Sequence, residues 1–130
     1  MTDVRTLKRQ YKQTRPPMGV FLIRNHANGR VLVDGSLNLD GAMNRHRFEL
    51  QQRTHRNRAL QQDWLAHGPE RFSFEVLERL KVRDDDLPGT DYTAALAEAL
   101  ALWRDEVPCR GEAGYNGPAP VPALSPKESP

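Results

Sequence analysis

Residues 42–58 carry Arg45, Arg47, Arg53, Arg56 and Arg58, with Glu49 as the only acid among them. A guanidinium is a planar fork that matches phosphate geometry, and a cluster of them gives a salt-dependent hold on a polyanion. The same residues also suit an ordinary solvated helix face running into a loop. The acids gather elsewhere, at Asp84, Asp85 and Asp86 and along 98–112. A net charge of +2, from 19 Lys+Arg against 17 Asp+Glu, therefore hides a local basic stretch. His46 sits inside that stretch. It shares a helix face with Met43 and Leu50, so a hydrogen-bonded, part-buried histidine and a site histidine are both open. His26, His46, His55 and His67 lack the spacing of a structural zinc site, and Cys109 is the single cysteine, which rules out an internal disulfide. The N-terminus is polar and basic without the apolar stretch of a signal peptide, and no run approaches the length of a membrane span. A soluble cytoplasmic protein is expected.

The elements that must hold these side chains can be read from the pattern. At 130 residues the chain fits one small domain with tails. Residues 19–24 are continuously apolar after Gly19, which predicts a strand buried on both faces. Asn28-Gly29 signals a hairpin, and 30–34 gives an antiparallel return strand. Asn38 is placed to cap a helix running to about residue 52, with Leu39, Ala42, Met43, His46 and Leu50 on one face. Asn57 caps a second helix, 58–67, with Leu60 and Trp64 inward, stopped at His67-Gly68-Pro69. Residues 72–77 predict a third strand with Phe72, Phe74 and Val76 on one apolar face. A last helix over 91–106 puts Tyr92, Leu96, Ala99, Leu100 and Trp103 on one side. Trp64, Trp103, Phe72 and Phe74 read as core, and Asp63 and Glu75 as surface acids. Residues 83–90 read as an acidic loop. Residues 1–17 are a basic arm or short helix, and 117–130, with five of the chain's 10 prolines, a disordered tail. The order β-β-α-α-β-α describes an α+β domain: a small antiparallel three-stranded sheet flanked by helices.

Several short stretches occur in this order: Gly19-Val20-Phe21, Leu32-Val33-Asp34, then Gly35, Ser36, Asn38 and Leu39. Asn44-Arg45-His46-Arg47-Phe48 follows, then Leu60-Gln61 with Trp64 and His67-Gly68, the strand 72–78, and Gly114-Tyr115-Asn116. Over roughly 18–116 the chain thereby resembles the GIY-YIG nuclease family, in particular a bacterial branch of it. The resemblance implies the element order above and phosphodiester cleavage with one divalent metal, Mg²⁺ or Mn²⁺. It also implies a motif tyrosine at the nucleophile, an arginine on the first helix and a metal-holding glutamate on the last. Carried onto this chain, the first tyrosine position is Phe21. The second is Leu32, or Val33 if the motif glycine is matched to Gly35. The arginine position is Ala42 and the glutamate position Leu100. His46 and Asn116 remain as candidate catalytic residues. Asn116 either lines the site or caps a Gly-Tyr-Asn-Gly turn. Arg45, three residues after Ala42 on the same helix, could partly replace the lost arginine. Asp34, where the family has glycine, is either a migrated metal carboxylate or a turn former.

The resulting expectation is a nuclease-like domain with impaired catalysis. It binds nucleic acid, DNA rather than RNA, through Arg45, Arg47, Arg53, Arg56, Arg58 and the basic arm. No metal ligand set and no cofactor are expected unless the domain is active, in which case Mg²⁺ or Mn²⁺ is. Two alternatives stand beside it. One is an active endonuclease with a site rebuilt from His46, Arg45, Asp34 and Asn116. The other is a protein-interaction module using the acidic stretch 84–91 and the proline-rich tail.

Overall fold

The computed structural model describes residues 15–83, 87 and 89–118. The expectations for most of the basic arm, half of the acidic loop and most of the proline-rich tail lie outside these residues. Three strands, β1 (Met18–Asn25), β2 (Val31–Ser36) and β3 (Phe72–Leu80), form one antiparallel sheet in the order β2-β1-β3. The helices are α1 (Leu39–Gln51), α2 (Arg58–His67) and α3 (Thr93–Glu106). The predicted α+β order holds throughout.

β1 is buried on both faces because both faces are covered. Side chains alternate along a strand, so Phe21 and Ile23 join one core with Leu32, Leu39, Ala42, Leu50, Leu60 and Trp64, on the side of α1 and α2. Val20 and Leu22 point the other way and join Val31, Val33, Ala99 and Cys109, beneath α3. The central strand thus nucleates two cores, and truncating Phe21, which is fully buried, would cost about 3–5 kcal/mol. β3 departs from the single apolar face expected of it. It runs on to Leu80, and Leu77 and Leu80 pack under α3 while Phe72 and Phe74 pack under α1 and α2. Val76, assigned by alternation to the apolar face, is exposed. A register irregularity between Val20 and Phe21 interrupts the β1–β3 pairing. Gly19 permits that pairing, because a Cβ there would collide with the Glu78 carbonyl.

Both asparagine caps form. Asn38 Oδ1 accepts from Gly41 N–H at 3.0 Å and Asn57 Oδ1 from Leu60 N–H at 3.1 Å. α3 begins at Thr93 rather than 91, because the Asp91 carboxylate accepts from both the N–H and the hydroxyl of Thr93. The outer edge of β2 is closed by the C-terminal segment. Tyr115 N–H donates to Val31 O at 2.9 Å, and the Asn116 side chain clasps Val33, accepting from its N–H at 2.7 Å and donating to its carbonyl at 2.9 Å. That segment approaches so closely at Gly114 that a side chain there would meet the carbonyls of Val31 and Cys109.

Candidate functional site

The hairpin register places Phe21 opposite Asp34 and Ile23 opposite Leu32. Phe21, Leu32 and Asp34 therefore share the sheet face under α1, whereas Val33 turns to the α3 side. Of the two candidate positions for the second motif tyrosine, Leu32 is the one on the face of Phe21. Ala42 is buried in the same core, while Leu100 packs into the α3-side core.

Above this apolar floor lies a polar chain. The His46 ring meets the Phe21 ring edge-on at 5.6 Å between centroids and stacks with His55 at 5.0 Å. His46 Nδ1 lies 2.7 Å from His55 Nε2, and His46 Nε2 lies 3.3 Å from Asp34 Oδ2. Both imidazoles are buried. Their proton positions follow from one donor whose identity is fixed. The backbone N–H of Asn57 donates to His55 Nδ1 at 3.0 Å, so that nitrogen carries a lone pair. The proton of neutral His55 is then on Nε2 and is donated to His46 Nδ1. The proton of His46 is on Nε2 and is donated to Asp34. Every ring nitrogen is used, and a proton added to either ring breaks a bond in the chain.

Electrostatics agree with that order. Burial first, and then the nearby guanidinium charges of Arg56 and Arg45, holds the His55 pKa below its ordinary value, and Glu49 only partly offsets them. For Asp34, burial pushes the pKa up. The hydrogen bond from His46, the Gly35 N–H and the nearby Arg104 outweigh it, so the carboxyl sits below the usual carboxylate range. Gln61 holds the loop in place, accepting from His55 N–H at 3.0 Å and donating to Leu50 O at 3.0 Å. Arg104 arrives from α3, with Nε donating to Val33 O at 3.2 Å and Nη2 at 3.8 Å from Asp34 Oδ1.

A cleft of about 230 Å³ opens over this chain, rimmed by Arg45, Glu49, Arg56 and Arg104. The structure thus brings together His46, Arg45, Arg56 and Asp34. It does not bring the other arginines to the cleft. Arg47 lies over the Phe74 ring at 4.3 Å, Arg53 takes the turn after α1 with φ of 63°, and Arg58 opens α2. Asn116 is spent on the Val33 backbone, so it closes the sheet edge. Asp34 accepts from Gly35 N–H at 2.9 Å, as a turn former does, and holds His46 as well. Asp63, read as a surface acid, is instead half-buried and accepts from the Tyr115 hydroxyl at 2.6 Å.

Sequence reasoning missed two members. His55 lies in a loop nine residues from His46, a spacing no helix or strand period links. Arg104 lies four residues after Leu100, one turn along α3. That spacing is the signal the sequence carries, on a helix whose pattern is dominated by its apolar face.

No protein-family model matches the chain, and no curated protein does. Two solved structures do: the catalytic domain of the homing endonuclease I-TevI, and the E75A mutant of that domain from the intron endonuclease I-TevI. Each is 23% identical with a TM-score of 0.62. The first match covers 79% of this chain and 99% of the other, and the second covers 77% and 92%. At that identity the likeness concerns the backbone arrangement, and it agrees with the sheet order and helix placement above. The chain has a GIY-YIG-like fold.

Proposed function

We propose that this chain is a nucleic-acid-binding domain, for DNA rather than RNA, on a nuclease-like fold whose hydrolytic chemistry is impaired. The observation that carries the reading is what fills the four positions where catalytic groups would be expected. Phe21, Leu32 and Ala42 are buried core residues, and Leu100, on α3, packs against the core on that side of the sheet. None has a titratable side chain. A missing general base typically costs roughly 10²–10⁴ in rate, and a missing electrostatic stabiliser about 10²–10³. What stays polar is a cleft rimmed by arginines, which suits a phosphate backbone. A cytoplasmic location goes with this reading.

One observation favours a second reading, an active endonuclease with a rebuilt site using Mg²⁺ or Mn²⁺. His46 is backed by a carboxylate, as catalytic histidines are. Against it, neither His46 nitrogen is free to take a proton from water. The test is to incubate labelled single- and double-stranded DNA with the protein and Mg²⁺ or Mn²⁺ across a salt series, scoring mobility and cleavage together. A retarded, intact band that fades with salt is the expected result. Absence of retardation at low salt would overturn binding. Metal-dependent cleavage that disappears in His46→Ala would establish the second reading.

A further inference from the structure

We propose that the cleft between β2, α1 and α3 takes a nucleic-acid phosphodiester on the guanidiniums of Arg45, Arg56 and Arg104, without a divalent cation. This rests on the nucleic-acid reading above and specifies its chemistry.

A nuclease-like fold implies a metal at such a cleft, and the donor set here does not fit one. The lining carboxylates are Asp34 and Glu49. Asp34 is already engaged at both oxygens, Oδ1 by the Gly35 N–H and the facing Arg104, Oδ2 by His46. All four imidazole nitrogens of His46 and His55 are occupied within the chain of hydrogen bonds. Leu100 offers no donor. Among the described residues, no group of three or more His, Cys, Asp or Glu side chains is arranged to hold a metal ion. Hard divalent cations need six or more oxygen ligands, and those not supplied by protein must come from substrate and water. Here the one uncommitted carboxylate is Glu49.

Positive charge comes instead from the protein. Three arginines face two carboxylates around the cleft. Arg104 is fixed by Val33 O and Asp34, so its guanidinium is held in place before a ligand arrives. The Arg45 and Arg56 side chains are exposed and have no hydrogen-bond or ion-pair partner among the described residues, which leaves their donors for a ligand. Their charge reaches the buried chain, where, after burial, it helps hold the His55 pKa down. A guanidinium fork delivers two parallel bonds to a phosphate and needs no bridging ion.

The experiment is fluorescence anisotropy of a labelled DNA duplex titrated with the full chain, in EDTA and in Mn²⁺. The wild type is compared with Arg56→Ala, Arg104→Ala and Arg58→Ala, the last outside the cleft. The same affinity is expected in EDTA and Mn²⁺. Arg56→Ala and Arg104→Ala should each weaken binding by roughly tenfold or more in both, and Arg58→Ala by clearly less. Binding that appears only with Mn²⁺ would overturn metal independence while leaving the nucleic-acid reading intact. Undiminished binding by Arg56→Ala would overturn the cleft assignment. That variant removes no side-chain hydrogen bond or ion pair among the described residues, so it decides the matter even if Arg104→Ala fails to fold. Absence of binding in both buffers would overturn this inference and the reading beneath it together.

Discussion

At the scale of single residues, the His46–His55 pair makes a pH-dependent prediction with a definite sign. His55 is buried neutral with its pKa below the ordinary value of about 6.5. Below that pH the unfolded chain binds a proton at His55 that the folded chain does not. Stability therefore falls as pH drops from about 6.5 toward the folded-state pKa. Asp34 acts in a lower window. Its depressed pKa contributes stability above about 3.9 that is lost as pH falls through the folded value. Urea midpoints measured between neutral and mildly acidic pH should fall for the wild type. The same series in His55→Gln should be flatter. A wild-type midpoint independent of pH in this range would show that the proton order assigned to the pair is wrong.

At the scale of elements, the asparagines carry unequal loads. Asn38 caps α1 and does little else, so Asn38→Ala should cost about 1 kcal/mol, typical of a lost N-cap. Asn57 caps α2, donates through Nδ2 to Tyr115 O at 2.8 Å, and fixes His55 through its backbone. Asn57→Ala loses the cap and also leaves a carbonyl unpaired, so it should cost about 1–3 kcal/mol more than Asn38→Ala. Asn116→Ala strips the side-chain partner from the N–H of Val33 on the edge of β2 and leaves its carbonyl to Arg104 alone, and should fall in the same range as Asn57→Ala. Chemical denaturation of the three variants gives the order directly. An Asn116→Ala variant as stable as wild type would mean that water replaces the clasp without loss.

For the molecule as a whole, one cluster ties three distant parts of the chain together. Tyr115, in the C-terminal turn, donates its hydroxyl to Asp63 of α2 at 2.6 Å and accepts from Asn25 Nδ2, at the end of β1, at 3.2 Å. Arg30 of the hairpin lies over the Tyr115 ring at 4.6 Å and near Asp63 at 3.5 Å. Burial, then the carboxylate of Asp63, pushes the Tyr115 pKa up to about 12. The folded chain keeps that proton after the unfolded chain has lost it at about 10, so the contribution is full below pH 10 and vanishes as pH rises through about 12. Tyr115→Phe should cost about 1–3 kcal/mol at neutral pH, because the buried Asn25 amide and the Asp63 carboxylate lose a partner. Thermal melts of Tyr115→Phe against wild type check this, and an unchanged melting temperature would show that the cluster is not what joins the turn to the hairpin.

Local chemistry determined the elements. Apolar continuity over 19–24, the Asn28-Gly29 turn and the two asparagine caps act within a few residues of where they are read, so the hairpin, the helices and their order were legible. The strand-face assignment of Phe21 and Leu32 was half legible. Their types marked the lost positions, but only the pairing of Phe21 with Asp34 fixed which of Leu32 and Val33 shares the face. The second apolar face of β3 escaped notice because it depends on α3 crossing the far side of the sheet. The candidate cleft was least legible. His55 and Arg104 reach Asp34 and His46 from a loop and a helix far apart in sequence, and no local period connects them. Their meeting depends on how helices pack across a sheet, which the tertiary structure alone decides, because hydrogen bonds between side chains are set by distances in space and not along the chain.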